Sequence, residues 1–453
     1  MSDTSPASSR APGPRGLPLL GCVLPFRKDP IGYLMDAWTR YGDVVRLEIR
    51  GKTVHLVTRP EHIEHVLVRR RKTYFKGYGY DDQKLLLGKG LITSEGELWE
   101  RQHRIMQPFF TPRGTMRFME VMVSAISEML TRWEPLADGE RVIQVDEEMA
   151  RLTGNIIVRI LFSRDLNDET GRIDKAFQYC VGFIDRRSPD LIALPMFVPS
   201  SANRRFKKSL SEFHRYIDER IDERGDLTGE EDQLSVLMHA RDEETGVRMD
   251  RRQLRDELVT LFVAGYQTTM HALTWTWYLL DRHPQVAGRL WEKQRSILNG
   301  RLPGLESVHE LSYARMVFQE AMRLYPPIKV IVREAAGDDE IDGYRIPVGS
   351  LVLVSPYITQ RHPTLWENPE TFDPERFTPE QAERRSRYAY LPFSAGPRIC
   401  LGGNFAMLEA VLVLAMVVRQ YRLQLVRGHP VTPSMDVKTW PLYGMPMTVH
   451  RRE

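Results

Sequence analysis

The stretch FSAGPRICLGG, residues 393–403, constrains this chain more than any other. It sets Cys400 in a turn-forming run, with Gly396 before it and Gly402 and Gly403 after it, directly ahead of the apolar AMLEAVLVLAMVV. A lone cysteine is ordinarily a small buried hydrophobe. Here the glycines permit tight backbone and close approach of another group, and Arg398 puts a cation beside the sulfur, favouring thiolate over thiol. Phe393, Pro397, Ile399 and Leu401 supply an apolar setting that keeps water away. Such a loop suits a single axial thiolate ligand to a metal. Cys22 and Cys180 lie far off in sequence and no CxxC pair occurs, so neither a disulfide framework nor a zinc module is indicated.

The 453 residues leave room for roughly two or three domains or for one large enzyme fold. Apolar residues at 42% and charged residues at 27% supply a large core. A net charge of +3, from 63 basic and 60 acidic residues, excludes a chain whose main partner is a nucleic-acid backbone. The opening MSDTSPASSRAPGPRGLPLLG is polar and proline-rich, without the apolar run of a signal peptide or membrane anchor, and residues 1–15 read as a flexible tail. AMLEAVLVLAMVV is short and carries Glu409, so it reads as a buried helix. A cytoplasmic protein is expected.

RLEIRGKTVHLVT alternates as a half-buried strand pair with a turn at Gly51 and Lys52, whereas helical periodicity dominates from about residue 97, as in MRFMEVMVSAISEMLTRW and LSEFHRYIDERIDER. SYARMVFQEAMRLYPP is a helix stopped by Pro326 and Pro327, and VIVREAA, YRIPVGSLVLVSPY and MTVHRRE follow as short strands. DERGDLTGEEDQ reads as a solvated loop, and no linker divides residues 1–453. The expected architecture is one mainly α domain with small β-sheets.

Three further patterns stand out. Glu320 and Arg323 share a helix face and can pair; the apolar residues around them favour partial burial over a solvated bridge. Trp99 and His103 share a face of LWERQHR. In LFVAGYQTTMHALTW, Gly265 interrupts a long helical pattern at a cost of about 1 kcal/mol relative to alanine, which something should offset.

Taken together, F-x-x-G-x-R-x-C-x-G at Phe393, Gly396, Arg398, Cys400 and Gly402 resembles the haem-binding loop of the cytochrome P-450 family, and the resemblance runs from about residue 13 to the end. It implies a fold with haem b between a long central helix and the cysteine-loop helix, with the Cys400 thiolate on the iron favouring O–O cleavage. Trp99, His103, Arg398 and Arg333 would hold the haem carboxylates, His103 as an iron ligand being the rival reading, and Glu320, Arg323 and Arg376 would form a structural network. Ala264, Gly265 and Thr268 match the family's A-G-x-x-T, in which a local opening admits dioxygen and the threonine helps deliver protons. The sequence departs from the family at Gln267, where an acid is usual; a glutamine orients water but does not donate and recover a proton.

By the same resemblance the substrate pocket draws on the Tyr74–Leu87 loop, Phe262, Val263, Thr268, the Ile328–Ile331 segment with Val330, and Leu442 to Met445; Lys329 is an odd polar entry there, meeting a carboxylate or pointing outward. The implied activity is insertion of one oxygen atom of dioxygen into an apolar compound, a fatty acid, terpenoid, steroid or macrolide. Electrons would come from a separate ferredoxin or flavodoxin with an NAD(P)H reductase, since no reductase domain follows. Arg384, Arg385 and Arg387 read either as part of a docking face or as a solvated charge run. A peroxide-driven haem-thiolate peroxygenase and a non-catalytic haem protein are the rivals.

Overall fold

The computed structural model of the chain describes residues 9–17, 21–49, 51–164, 168–187, 194–224 and 233–452. Residues 1–8 of the expected tail and 225–232 of the expected charged loop lie outside this set. From Ser9 onward the tail is not loose. Ser9 bridges to Tyr344, Pro12 O accepts from Arg46 N at 2.8 Å and Ala11 is buried, because the edges of two strands, one at Arg46 and one at Tyr344, offer the segment backbone partners.

Among the described residues, ten strands make three sheets. β1 (Val44–Ile49) and β2 (Lys52–Val57) form the expected hairpin; β3 (Tyr74–Phe75), β5 (Ile331–Ala335) and β8 (Leu351–Val354) complete a sheet ordered β1-β2-β8-β5-β3. Its β2–β8 pair is parallel, Val54 opposite Leu351, and the other pairs are antiparallel. β4 (Asp138–Gln144), β9 (Tyr421–Leu425) and β10 (Pro446–Arg451) form a second sheet, and β6 (Asp339–Ile341) pairs with β7 (Tyr344–Ile346).

The helices that position the site are α1 (Gly96–Met106), α2 (Met119–Trp133), α3 (Val145–Phe162), α4 (Asp168–Arg187), α5 (Ser201–Arg224), α6 (Arg251–Arg282), α7 (Ser312–Leu324) and α8 (Gly403–Gln420). α6 starts where Asp250 caps Gln253 N at 2.7 Å and runs 32 residues, which at 1.5 Å per residue is about 48 Å. Its buried residues lie on every side, as befits a helix through the middle of a core. Its N-terminal half packs in one apolar cluster with α3, α4 and α5, its C-terminal half in another with α2, α7 and α8. α8 is the one helix, among the described residues, long and apolar enough to cross a membrane, and most of it is buried in this second cluster. The expected buried helix is thus found, with Glu409 wholly enclosed.

Candidate functional site

The cysteine loop is shaped by local constraints. Gly396 sits at φ +72°, and a Cβ there would lie 2.1 Å from Leu67 O, so only glycine lets the loop close onto that backbone. Ser394 also takes a left-handed conformation, at φ 66°. Cys400 N donates to Phe393 O at 2.9 Å, and Ala406 N to Gly402 O at 2.9 Å as α8 begins. Cys400 has accessible surface although protein surrounds it, because it opens into a cavity and not onto bulk solvent.

That cavity, of about 360 Å³, lies between the loop and α6. It brings together Cys400, Phe393, Arg398 and Gly402 with Ala264, Gly265 and Thr268 of α6, Trp99 and His103 of α1, and Ile328, Ile331 and Arg333. The small Ala264 and Gly265 leave α6 open to a flat group; Gly265 also fits against α3, where a Cβ would lie 2.9 Å from Ile157 Cδ1. Thr268 Oγ1 donates to Ala264 O at 2.9 Å.

One rim is cationic. Arg398 stacks over the Trp99 ring at 3.9 Å, donates to Ser94 O at 2.9 Å and bonds Glu95, while the Trp99 and His103 rings lie 4.9 Å apart. Arg333 Nη1 donates to Val332 O at 2.8 Å and, among the described residues, meets no carboxylate. Burial brings Arg398 down to about 10 and, with Arg398 beside it, lowers His103. The expected influence of Arg398 on the sulfur is not found. Burial raises the Cys400 thiol, and the influence that lowers it is the Gly402 amide; the Arg398 guanidinium is engaged with Ser94, Glu95 and Trp99 instead.

Glu320 and Arg323 are wholly buried, so neither partial burial nor a surface bridge describes them. Arg323 Nε and Nη2 meet the Glu320 carboxylate at 2.6 and 2.8 Å, and its remaining donors reach Gln360 O, Pro369 O and Thr371 O. Arg376 Nε stands 3.4 Å from Glu320 Oε1. This network lies outside the cavity's lining.

Other residues are placed away from the cavity. Phe262 packs edge-on against Phe177 at 4.6 Å, and Val263 borders the same cluster. Val330 faces the core beside the β1–β2 sheet, Leu442 is 48% exposed and Met445 is buried in the α8 cluster. Tyr74 turns its hydroxyl to Asp339, 2.8 Å away, but Lys76 and Tyr80 of the same expected loop do line the cavity, beside Leu91 and Ile92. Period-2 and period-3.6 patterns say which residues share a face, not which face a cavity meets. Lys329 neither points outward nor pairs with a carboxylate: wholly buried, it donates to Ser434 O, and burial brings it down to about 8. Arg385 is not a free surface charge, since it stacks over Trp366 at 4.3 Å and donates to Arg376 O, whereas Arg384 and Arg387 are exposed.

Sequence reasoning named the loop that carries Lys76 but not the lysine itself, and it missed Glu257 and Lys438. Lys76 lines the cavity with Nζ on Leu91 O and Ile92 O, brought down to about 7 by burial and then by the Arg398 and Arg333 charges. Glu257 lines it from α6, seven residues before Ala264, a spacing that a helical-face reading would have found. Lys438 Nζ bonds Gln267 Oε1 at 3.0 Å and Asp185 Oδ1 at 2.8 Å, joining α6, α4 and the chain after residue 434 in a contact with no local signal.

These residues fit haem b. The thiol opens onto the cavity opposite the smallest residues of α6, and Arg333, Arg398 and Trp99 lie at one rim, where two carboxylates would find charge-assisted donors.

Comparison with known proteins agrees. The family model described as cytochrome P450 matches residues 11–444. The chain is 36% identical to cyclooctatin synthase of Streptomyces melanosporofaciens, over 96% of this chain and 94% of that one. It is 31% identical to cyclooctat-9-en-7-ol 5-monooxygenase of the same organism, over 94% of each, and 30% identical to pentalenene oxygenase of Streptomyces avermitilis, over 97% and 95%. The structure resembles the crystal structure of the cytochrome P450DA heme domain with a TM-score of 0.89 at 26% identity, over 98% of both chains. The chain therefore belongs to the cytochrome P450 family, whose enzymes are haem b monooxygenases.

Proposed function

We propose that this monooxygenase oxygenates a polycyclic terpenoid in the cytosol, with Cys400 as the thiolate that would hold its haem and electrons from a separate ferredoxin or flavodoxin and its NAD(P)H reductase. The match to cyclooctatin synthase across 96% of the chain carries the substrate class, beside two further terpenoid-oxygenating relatives. The wall formed by Leu91, Ile92, Leu261, Ala264, Ile328 and Ile331 is apolar, as a hydrocarbon skeleton requires. Three free cysteines accord with a reducing compartment.

Bound in the cavity, haem b supplies activation of dioxygen and oxygen insertion. The protein's share is orientation, exclusion of water and proton supply. Arg333 and Arg398, with Trp99 and His103, would hold the haem carboxylates, while Phe393, Gly396 and Gly402 keep the loop's shape. Thr268, turning its hydroxyl from Ala264 O into the cavity, delivers protons with ordered water. Gln267, its Oε1 held by Lys438, positions that water through Nε2–H. Titrating the ferric protein with terpenoids, fatty acids, steroids and macrolides while following the haem Soret band tests the substrate class. A saturable shift with terpenoids is expected; saturation by another class alone would overturn it.

A further inference from the structure

Glu257 is a polar group in the cavity wall that the proposed chemistry does not use. It is wholly buried, its Oε2 accepts from Leu91 N at 3.0 Å, and its Oε1 has no hydrogen-bond partner among the described residues. The neighbouring polar groups do not supply one. Lys76 Nζ reaches Leu91 O and Ile92 O and makes no hydrogen bond to Glu257, although the two charges interact, and Asp256 Oδ2 accepts from Lys89 N at 2.9 Å. Burial pushes Glu257 up to about 8, leaving a neutral carboxyl near neutral pH that both donates and accepts. An unmet buried polar atom costs about 1–3 kcal/mol, so such atoms are ordinarily answered by a partner. Seven residues separate Glu257 from Ala264 on one face of α6, about 10 Å along the axis.

We propose that Glu257 is a specificity-determining residue whose free carboxyl oxygen binds a hydroxyl group on the substrate, so that the enzyme takes a terpenoid alcohol in preference to the bare hydrocarbon. The hydroxyl anchors one end of the skeleton beside Leu91 and Tyr80 and sets which distant carbon reaches the Ala264 end. An earlier reaction, a hydroxylation or a water-quenched cyclisation, must then supply the alcohol. This inference rests on the terpenoid reading above.

The test uses the haem-loaded enzyme and matched hydrocarbon, alcohol and methyl ether: cedrane, cedrol and cedryl methyl ether, and the equivalent trio on a labdane skeleton. Soret titrations give a Kd for each. The alcohol is expected to bind roughly tenfold or more tighter than hydrocarbon or ether. Glu257→Leu should bring the ratio close to one, and Glu257→Gln, which keeps both hydrogen-bonding functions, should restore most of it. Should Glu257→Leu fail to fold, the wild-type ratios and the Gln variant decide alone. Equal affinities for all three wild-type ligands would overturn the inference and leave the terpenoid reading standing, as would an alcohol preference that survives Glu257→Leu. Faster haem transfer to apomyoglobin from Glu257→Leu with the ratio unchanged would place the carboxyl against the cofactor and also overturn it. No saturable shift with any ligand would overturn the terpenoid reading itself.

Discussion

Two lysines show how much a residue's partners decide. Lys329 and Lys438 lie in facing backbone segments, bridged between Ile328 and Lys438, yet Lys329 is sealed against a single carbonyl while Lys438 holds Gln267 and Asp185. Gln267 precedes Thr268, so the orientation of its amide depends on a side chain 171 residues away. Lys438→Met should free that amide and raise peroxide released per NAD(P)H consumed by severalfold, up to about tenfold, the effect of roughly 1.4 kcal/mol. Lys438→Arg should recover part of the coupling. Product and peroxide measured against NAD(P)H oxidation would check this, and unchanged coupling in Lys438→Met would remove Lys438 from proton supply.

At the scale of elements, the loop before α8 and α8 itself are held by different physics. Gly396 is fixed by backbone, because the atom that a Cβ would strike is Leu67 O and cannot turn aside. Gly396→Ala adds about 1–2 kcal/mol of left-handed strain to that clash. Most of the purified variant should lack haem, or show thiol-type instead of thiolate-type absorption in its reduced carbon monoxide complex. α8 carries the opposite case, Glu409, with both oxygens buried and no partner among the described residues, and burial raises it well above 4.5. The unfolded chain gives up this proton first, so the stability it contributes is complete below about pH 4.5 and is lost as pH rises, by at most about 1.4 kcal/mol per unit. Glu409→Leu should therefore raise the melting temperature more at about pH 8 than at about pH 5, and equal gains would refute the assignment.

For the whole molecule, Glu320 and Arg323 tie α7 to the chain between Gln360 and Arg376, which leads into the cysteine loop. Every Arg323 nitrogen is engaged, and the Asp373 amide also donates to Glu320 at 3.0 Å. Breaking a buried pair on one side leaves a charge without compensation, about 3–5 kcal/mol. Glu320→Ala should lower the unfolding free energy measured in denaturant by that amount and cost haem retention along with it. A loss below about 1 kcal/mol would mean that the network is relaxed by water.

The sequence by itself determined what contiguous residues can hold: the turn at Gly51, the helix ended by Pro326 and Pro327, the pairing of Glu320 with Arg323 at i, i+3, and the loop around Cys400. Each is a matter of backbone freedom or of spacing along one element, readable without knowing what packs against it. Tertiary structure decided burial and direction. It enclosed Glu320 and Arg323, turned Arg398 toward Trp99 and Glu95, set Phe262 among aromatic rings while Ile328 took the cavity, and left one oxygen of Glu257 in the cavity wall without a partner among the described residues. Those outcomes depend on which elements meet. Periodicity gives a residue its face, and only the neighbour brought to that face by the rest of the chain gives it a partner.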